Sequence, residues 1–337
     1  MLPIAKRVRE IAGLRPGDLG SEILASTEPL LLRGLVADWP MVKAGLASPR
    51  DADAYLRRWY RDATVNAMLG APETEGRFFY NDDLSGFNFY PVRVRLDTVL
   101  DELAKHLATT PPPTIYVGST TIDTALPGFR GENDVDLGAR DALASIWIGN
   151  RTVIAAHYDL PDNLACVAVG HRRFTLFPPG QQHNLYVGPL DFTPAGQAIS
   201  LVDFAKPDYT RFPRFSEALE HAQVAEMAPG DALFIPSMWW HHVQALDAFN
   251  VLVNYWWRQS PEWMDTPTNA LMHALMSVRD LPPAQRKAWA ELFRHYVFEA
   301  DADTAAHIPE AARRVLGPLD DNAARAIRAQ LLKRMNR

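Results

Sequence analysis

A single cysteine, Cys166, stands in a chain of 337 residues. One thiol cannot close an intramolecular disulfide, and it cannot build a thiolate-rich zinc or iron–sulfur site. An excess of positive charge is also missing. Lys+Arg 34 against Asp+Glu 40 leaves −6, so the chain carries no basic footprint for nucleic acid or an anionic membrane. No window holds the roughly 18 uninterrupted apolar residues that a membrane-spanning helix needs. Nor does the opening Met1-Leu-Pro-Ile-Ala-Lys-Arg lead from a basic stretch into an apolar run, so the expectation is a cytoplasmic protein. What is plentiful is proline (26) and tryptophan (9), which favours many turns and a bulky aromatic interior.

The length allows one large domain or about two. Glu28-Pro-Leu-Leu-Leu-Arg-Gly-Leu-Val, ending at Asp38-Trp39-Pro40, reads as a short buried strand. Ala52, Tyr55, Leu56, Trp59 and Tyr60 share one face of a helix over 51–60. Leu96, Val99, Leu100, Leu103 and Leu107 repeat the pattern in a second helix, which Pro111-Pro-Pro113 stops before a strand at Ile115–Val117. From about Ser145 to Trp257 the segments turn short, β-branched or aromatic. Strands are expected at Ser145–Gly149, Asn163–Val169, Arg173–Phe177, Ala232–Ile235, His241–Leu246 and Asn250–Trp257. Many short strands between turns argue for a sandwich or barrel. Past Pro261 the period is helical again: Trp289, Leu292, Phe293, Tyr296 and Val297 share a face, and a last helix runs from about Asp320 to Met335. The predicted fold is mainly β with helical additions. It divides into an N-terminal α/β elaboration (1–114), a β core (115–260) and a C-terminal helical segment (261–337).

The sharpest chemical feature is His157-Tyr158-Asp159. In an extended strand residues 157 and 159 face the same way. That brings an imidazole and a carboxylate to one point, two ligands of a facial triad suited to non-haem Fe(II). Pro236-Ser-Met-Trp-Trp-His241-His242-Val243 offers the third ligand. Adjacent histidines in a strand point to opposite faces, and alternation alone leaves His241 and His242 open. Glu132-Asn-Asp-Val-Asp136 lacks the spaced glycine and the closing glutamate of a calcium loop and reads as a solvated loop. Arginines and lysines crowd the C-terminus, where they complement helix dipoles.

The run HYDLPDNLACVAVGHRRFTLFPP (157–179), with VDFAKPDYTRFPRF (202–215), APGDALFIPSMWWHHV (228–243) and NVLVNYWW (250–257), resembles the JmjC/cupin-like oxygenases. Among them it is most like the asparaginyl hydroxylase branch, and the likeness reaches back to TEPLLLRGLVADWP (27–40). The resemblance implies a double-stranded β-helix, or jelly roll. It implies Fe(II) held by His157, Asp159 and His241, with 2-oxoglutarate as co-substrate. Carried over by position, Arg172 pairs the distal carboxylate, where relatives have lysine, and Tyr116 reaches the same carboxylate. Asn163 and Asn254 match the amides near the keto acid and the iron. Arg173 would replace Arg172 if the register slipped by one. Ile154 departs from the threonine usual at its position.

The same resemblance places Trp256 beside substrate; Trp239, Trp240 and Trp257 are further candidates for the cavity wall. Gly118 and Asn81 do not reproduce the branch's polar substrate contacts, so the substrate, a protein side chain or a small molecule, stays open. No catalytic side chain is called for beyond the metal ligands. A homodimer through the C-terminal helices is implied, with no nucleic-acid partner. A single cysteine builds no zinc finger, so the residues give a chromatin-demethylase reading no support. The other reading is a metal-binding cupin with an altered co-substrate, or a silent binding module.

Overall fold

The computed structural model describes residues 2–194 and 196–336, which group into two compact units, 1–259 and 260–337. The first is built on strands β1 (Arg9–Ala12), β2 (Leu30–Arg33), β3 (Thr64–Gly70), β4 (Arg77–Phe78), β5 (Phe89–Arg95), β6 (Thr114–Thr121) and β7 (Leu143–Gly149). They continue with β8 (Thr152–His157), β9 (Asp162–Val169), β10 (Arg172–Phe177), β11 (Gln223–Met227), β12 (Ala232–Ile235), β13 (Trp240–Ala245) and β14 (Asn250–Trp257). One sheet runs β1-β2-β12-β9-β14-β7-β6-β3-β5 and the other β11-β10-β13-β8-β4.

Strands before residue 115 pair directly with the later ones: β2 with β12, β3 with β6, and β4 with β8. The two inner faces meet in one apolar cluster, with Val167, Leu233 and Leu252 from the larger sheet against Phe174, Leu176 and Val243 from the smaller. Two facing sheets whose strands alternate between them form the jelly roll that the strand count predicts.

The back of the larger sheet is covered by helices. Met41 and Val42 of Pro40–Ala47, Ala52 and Leu56 of Pro49–Trp59, and Val99, Leu100 and Leu103 of Leu96–Lys105 pack onto Ile146, Cys166 and Val253. Every residue of β9 is buried for this reason: one face meets the smaller sheet and the other the helices. The Ser48 side chain accepts from the Asp51 N–H and so starts Pro49–Trp59, within two residues of the expected helix. The second helix stops at Lys105, well before the prolines, although Leu107 still packs against the core.

The Glu132–Asp136 stretch is a loop with Glu132 and Asp136 exposed, but Asn133 and Val135 are buried, which corrects in part the expectation of a solvated loop. The Asn133 carboxamide accepts from the Met41 N–H at 2.9 Å and donates to the Tyr55 hydroxyl and the Phe129 carbonyl. Glu132 takes the Tyr55 hydroxyl and Arg58, and Asp134 takes Arg130. These carboxylates are committed to protein donors.

The second unit holds helices Pro267–Ser277, Pro283–Phe293 and Asp321–Met335, the last capped by the Asp320 side chain accepting from the Ala323 N–H. Among its described residues only Ala305 and Ala324 are buried, while Met276, Trp289, Leu292, Tyr296, Val297 and Leu332 are exposed. Among the described residues no helix is long and apolar enough to cross a membrane.

Candidate metal centre

Strand pairing does most of the work of assembling the site. In the β8–β13 ladder, His157 and His241 are direct cross-strand partners, and their ring centroids lie 4.3 Å apart. Asp159 is placed differently from the extended-strand expectation. β8 ends at His157, and Asp159 lies in the turn that follows. That turn is tied to the 236–239 segment: the Asp159 carbonyl accepts from the Met238 N–H at 2.9 Å, and the Ser237 hydroxyl donates to the Leu160 carbonyl at 2.6 Å. The carboxylate still reaches the same point, with Asp159 Oδ2 3.6 Å from His241 Nε2. One ligand atom from each of His157, Asp159 and His241 lies within 4.8 Å of the other two.

The hydrogen bonding of the rings suits a cation. His157 Nδ1 is 2.9 Å from the Ala155 carbonyl, and His241 Nδ1 is 3.0 Å from the Trp239 carbonyl. A carbonyl only accepts, so each Nδ1 donates to it and each ring turns its Nε2 away from that bond. Burial, then the neighbouring His157, push His241 down to about 4, so the imidazole is neutral at pH 7. Two imidazoles and one carboxylate, the His/Cys/Asp/Glu cluster found here among the described residues, are the donor set of a facial triad.

His242 points the other way. Its ring stacks on Phe204 at 4.4 Å, and its Nδ1 has no hydrogen-bond partner. Burial pushes it down to about 3. Of the two histidines that alternation left open, register brings His241 beside His157 and Asp159 and turns His242 away.

A cavity of about 280 Å³ opens from the triad, lined among others by Tyr116, Asn163, Arg172, Asn254, Trp147 and Trp256. Arg172, Phe174 and Leu176 share the inward face of β10. Leu176 lies opposite His241 and Arg172 opposite Ala245, so the guanidinium starts four residues, roughly 13 Å of strand, from the metal end. Arg172 is 2% exposed. Its Nε has no hydrogen-bond partner, and burial lowers its pKa with only the Tyr116 phenol acting against that. Arg173, the register-slip alternative, lies 3.9 Å from Glu226 and does not line the cavity.

Burial pushes the Tyr116 phenol up, so it remains a donor; its ring stacks on Phe78 and on Trp147 at 5.6 and 5.9 Å. Ile154 also lines the cavity and brings only carbon to it.

Of the four tryptophans expected at the wall, only Trp256 lines the cavity. Trp239 donates its indole N–H to the Thr27 carbonyl, Trp240 packs on Tyr158, and Trp257 stacks on Phe234. Trp147 was not among the expected site residues, yet it stands edge-on to Trp256 at 5.7 Å and stacks on Tyr116. The signal for it was present: Ser145, Trp147 and Gly149 alternate onto one face of β7.

A jelly roll whose cavity brings together two histidines, a carboxylate and a buried guanidinium is a cupin-class fold with a candidate metal site. The chain belongs to the cupin-like family of JmjC type: the Cupin-like domain matches residues 16–263. Lysine-specific demethylase 8 of Xenopus tropicalis is 28% identical over 237 residues, 69% of this chain and 49% of that protein. Human HSPB1-associated protein 1 is 29% identical over 171 residues, 48% of this chain and 32% of the relative. The tRNA wybutosine-synthesizing protein 5 of Danio rerio is 36% identical over 105 residues, 31% of this chain and 29% of the relative. The chain thus spans about half or less of these relatives' length.

Proposed function

We propose that the protein is an Fe(II)- and 2-oxoglutarate-dependent oxygenase that hydroxylates a C–H bond of a protein side chain or a small molecule. The observation that carries this reading is Arg172: a guanidinium buried in the triad's own cavity, with an unpartnered Nε and no carboxylate of the described residues paired to it. A buried charge without a partner is costly, and an arginine fork matches a carboxylate through two parallel hydrogen bonds. The ligand that answers both groups has a metal-chelating 2-oxo acid at one end and a carboxylate at the other.

In this reading His157, Asp159 and His241 hold Fe(II), and the Nδ1–carbonyl bonds fix the two rings. When bound, iron with the chelated keto acid supplies dioxygen activation: one oxygen atom goes to succinate, CO2 is released, and the other atom becomes the product hydroxyl. Arg172 and the Tyr116 hydroxyl bind the distal carboxylate. Asn163 and Asn254 offer amide N–H groups at the metal end. Trp147 and Trp256 present aromatic faces that exclude water, and Trp256 borders the substrate. At about 280 Å³ the cavity lies near the small end of ligand pockets, about 300–1,000 Å³. It holds the co-substrate and one reacting group of the substrate. Demethylase names among the relatives fit the same step, since hydroxylating an N-methyl carbon leads to its loss.

The second reading, a cupin with an altered co-substrate or a silent binding module, draws on Ile154, which withholds a hydroxyl from the cavity. Succinate formation on incubation with Fe(II), ascorbate and 2-oxoglutarate separates the two. Metal-dependent succinate, lost in Asp159→Ala, supports the oxygenase; none from the iron-loaded protein supports the second reading.

We also propose self-association through the helices of 261–337. Among their described residues only Ala305 and Ala324 are buried, and helices without a buried face draw little stability from propensity alone. Light scattering at micromolar concentration is expected to give the mass of a dimer; a monomer mass contradicts it.

A further inference from the structure

The metal end of the cavity contains a hydrogen-bonded chain with only one possible direction. The Trp147 indole N–H donates to Asn254 Oδ1 at 2.7 Å. Asn254 Nδ2 donates to Asn163 Oδ1 at 3.3 Å. Asn163 Nδ2 donates to Asp159 Oδ2 at 3.3 Å. Both amides are buried. A carboxamide taken alone can turn over, exchanging its oxygen for its NH2. An indole N–H cannot: it donates and never accepts.

The tryptophan therefore decides the whole chain. It calls the Asn254 oxygen towards itself, which turns the Asn254 NH2 to Asn163. That in turn calls the Asn163 oxygen and aims the Asn163 NH2 at the carboxylate. With Asn163 reversed, its oxygen would face the Asp159 carboxylate and its NH2 would meet that of Asn254; with Asn254 reversed, its NH2 would meet the indole N–H and two amide oxygens would face each other. The geometry points to Trp147 as a positioning residue for the metal carboxylate: linked to Asp159 through two asparagines, it fixes which atoms of Asn254 and Asn163 face the triad. The inference rests on the metal-site reading above and deepens it. The remaining N–H of each asparagine stays free for whatever shares the site.

The same side chain is well placed to hold this role firmly. Its ring lies between Tyr116 and Trp256, stacked on the first at 26° and perpendicular to the second at 89°, so the N–H vector is set by packing on two sides. Ring contact and N–H are separable, because phenylalanine keeps an aromatic ring and removes the donor. Hydrogen-bonding partners of metal ligands are worth about 10–100-fold in metal affinity.

The test is anaerobic titration of the metal-free full chain with Co(II), whose visible d–d bands report the coordination shell, with no co-substrate present. Trp147→Phe should weaken Co(II) binding about tenfold and alter the band shape. Trp257→Phe, which removes an indole N–H that has no partner on the other side of β14, should match the wild type. Asn254→Leu should also weaken binding. The double variant Trp147→Phe/Asn254→Leu should bind no more weakly than Asn254→Leu alone, since the N–H then has nothing left to orient. Unchanged affinity and bands in Trp147→Phe overturn the inference, as do losses that multiply in the double variant. A wild-type protein that binds no Co(II) would instead remove the metal-site reading beneath it.

Discussion

His157 and His241 face each other across the β8–β13 ladder, and each gives its Nδ1 proton to the carbonyl two residues before it on its own strand, Ala155 and Trp239. Two backbone carbonyls thus hold both Nδ1 atoms, and ligand atoms of both rings reach the triad cluster. Because partners of metal ligands alone are worth about 10–100-fold, losing a ligand should exceed that. His157→Ala, Asp159→Ala and His241→Ala are each expected to weaken Fe(II) binding by more than about 100-fold in equilibrium dialysis. His242→Ala is expected to leave metal affinity unchanged while lowering stability by about 1–3 kcal/mol, through the lost stacking on Phe204. Loss of metal in His242→Ala with His241→Ala intact would reverse the assignment.

Arg172 sets function against stability. Arg172→Met keeps the bulk and removes a buried charge that no carboxylate of the described residues pairs. The ligand-free protein should become more stable, because an unpaired buried charge costs free energy. In a domain of this size each 1 kcal/mol gained raises Tm by about 2–4 °C. The same variant should bind 2-oxoglutarate at least about tenfold more weakly, the worth of a charge-assisted hydrogen bond. A lowered Tm together with unchanged 2-oxoglutarate affinity would show that the guanidinium is a structural group.

Ile154 bears on the same end of the cavity. Ile154→Thr supplies a hydroxyl to a wall that has only carbon at this position. It is expected to tighten 2-oxoglutarate binding, by up to about tenfold if the hydroxyl meets the carboxylate. Calorimetric titration on the metal-loaded protein reads this directly. Weaker binding would mean the carboxylate sits elsewhere.

Acid should weaken the fold through its buried histidines. Burial pushes His242 down to about 3 and His241 to about 4, both below the unfolded value near 6.5. The unfolded chain then takes up protons that the folded one refuses. Their contribution to stability is full above about pH 6.5 and shrinks as pH falls towards 4 and 3. Denaturant midpoints of the metal-free protein should therefore drop between pH 7 and 5, and His242→Leu should flatten that slope. An equal slope in the variant would place the acid sensitivity elsewhere.

How much of this was readable beforehand follows from the range of the forces. β12 and β14 have the bounds that apolar runs between turn residues indicate, because burial on both faces leaves a continuous apolar signal. The choice of His241 over His242 could not come from alternation, since both faces of β13 are buried; it needed the resemblance, and in the structure the cross-strand register brings His241 beside His157. Asp159 was read as part of an extended strand, but the turn that presents it depends on Ser237, nearly eighty residues later. Trp147 was passed over because its partner, Asn254, is brought beside it only by the pairing of β7 with β14. Long-range pairing, not local pattern, creates that contact.

The most direct test of the central claim is an anaerobic titration of the Fe(II)-loaded protein with 2-oxoglutarate, followed by visible absorption. A keto acid chelated to Fe(II) gives a charge-transfer band. The account predicts a band that grows and saturates in the wild type, needs a higher concentration in Arg172→Met, and is absent in His241→Ala. Stoichiometric iron with no band at any 2-oxoglutarate concentration would contradict it.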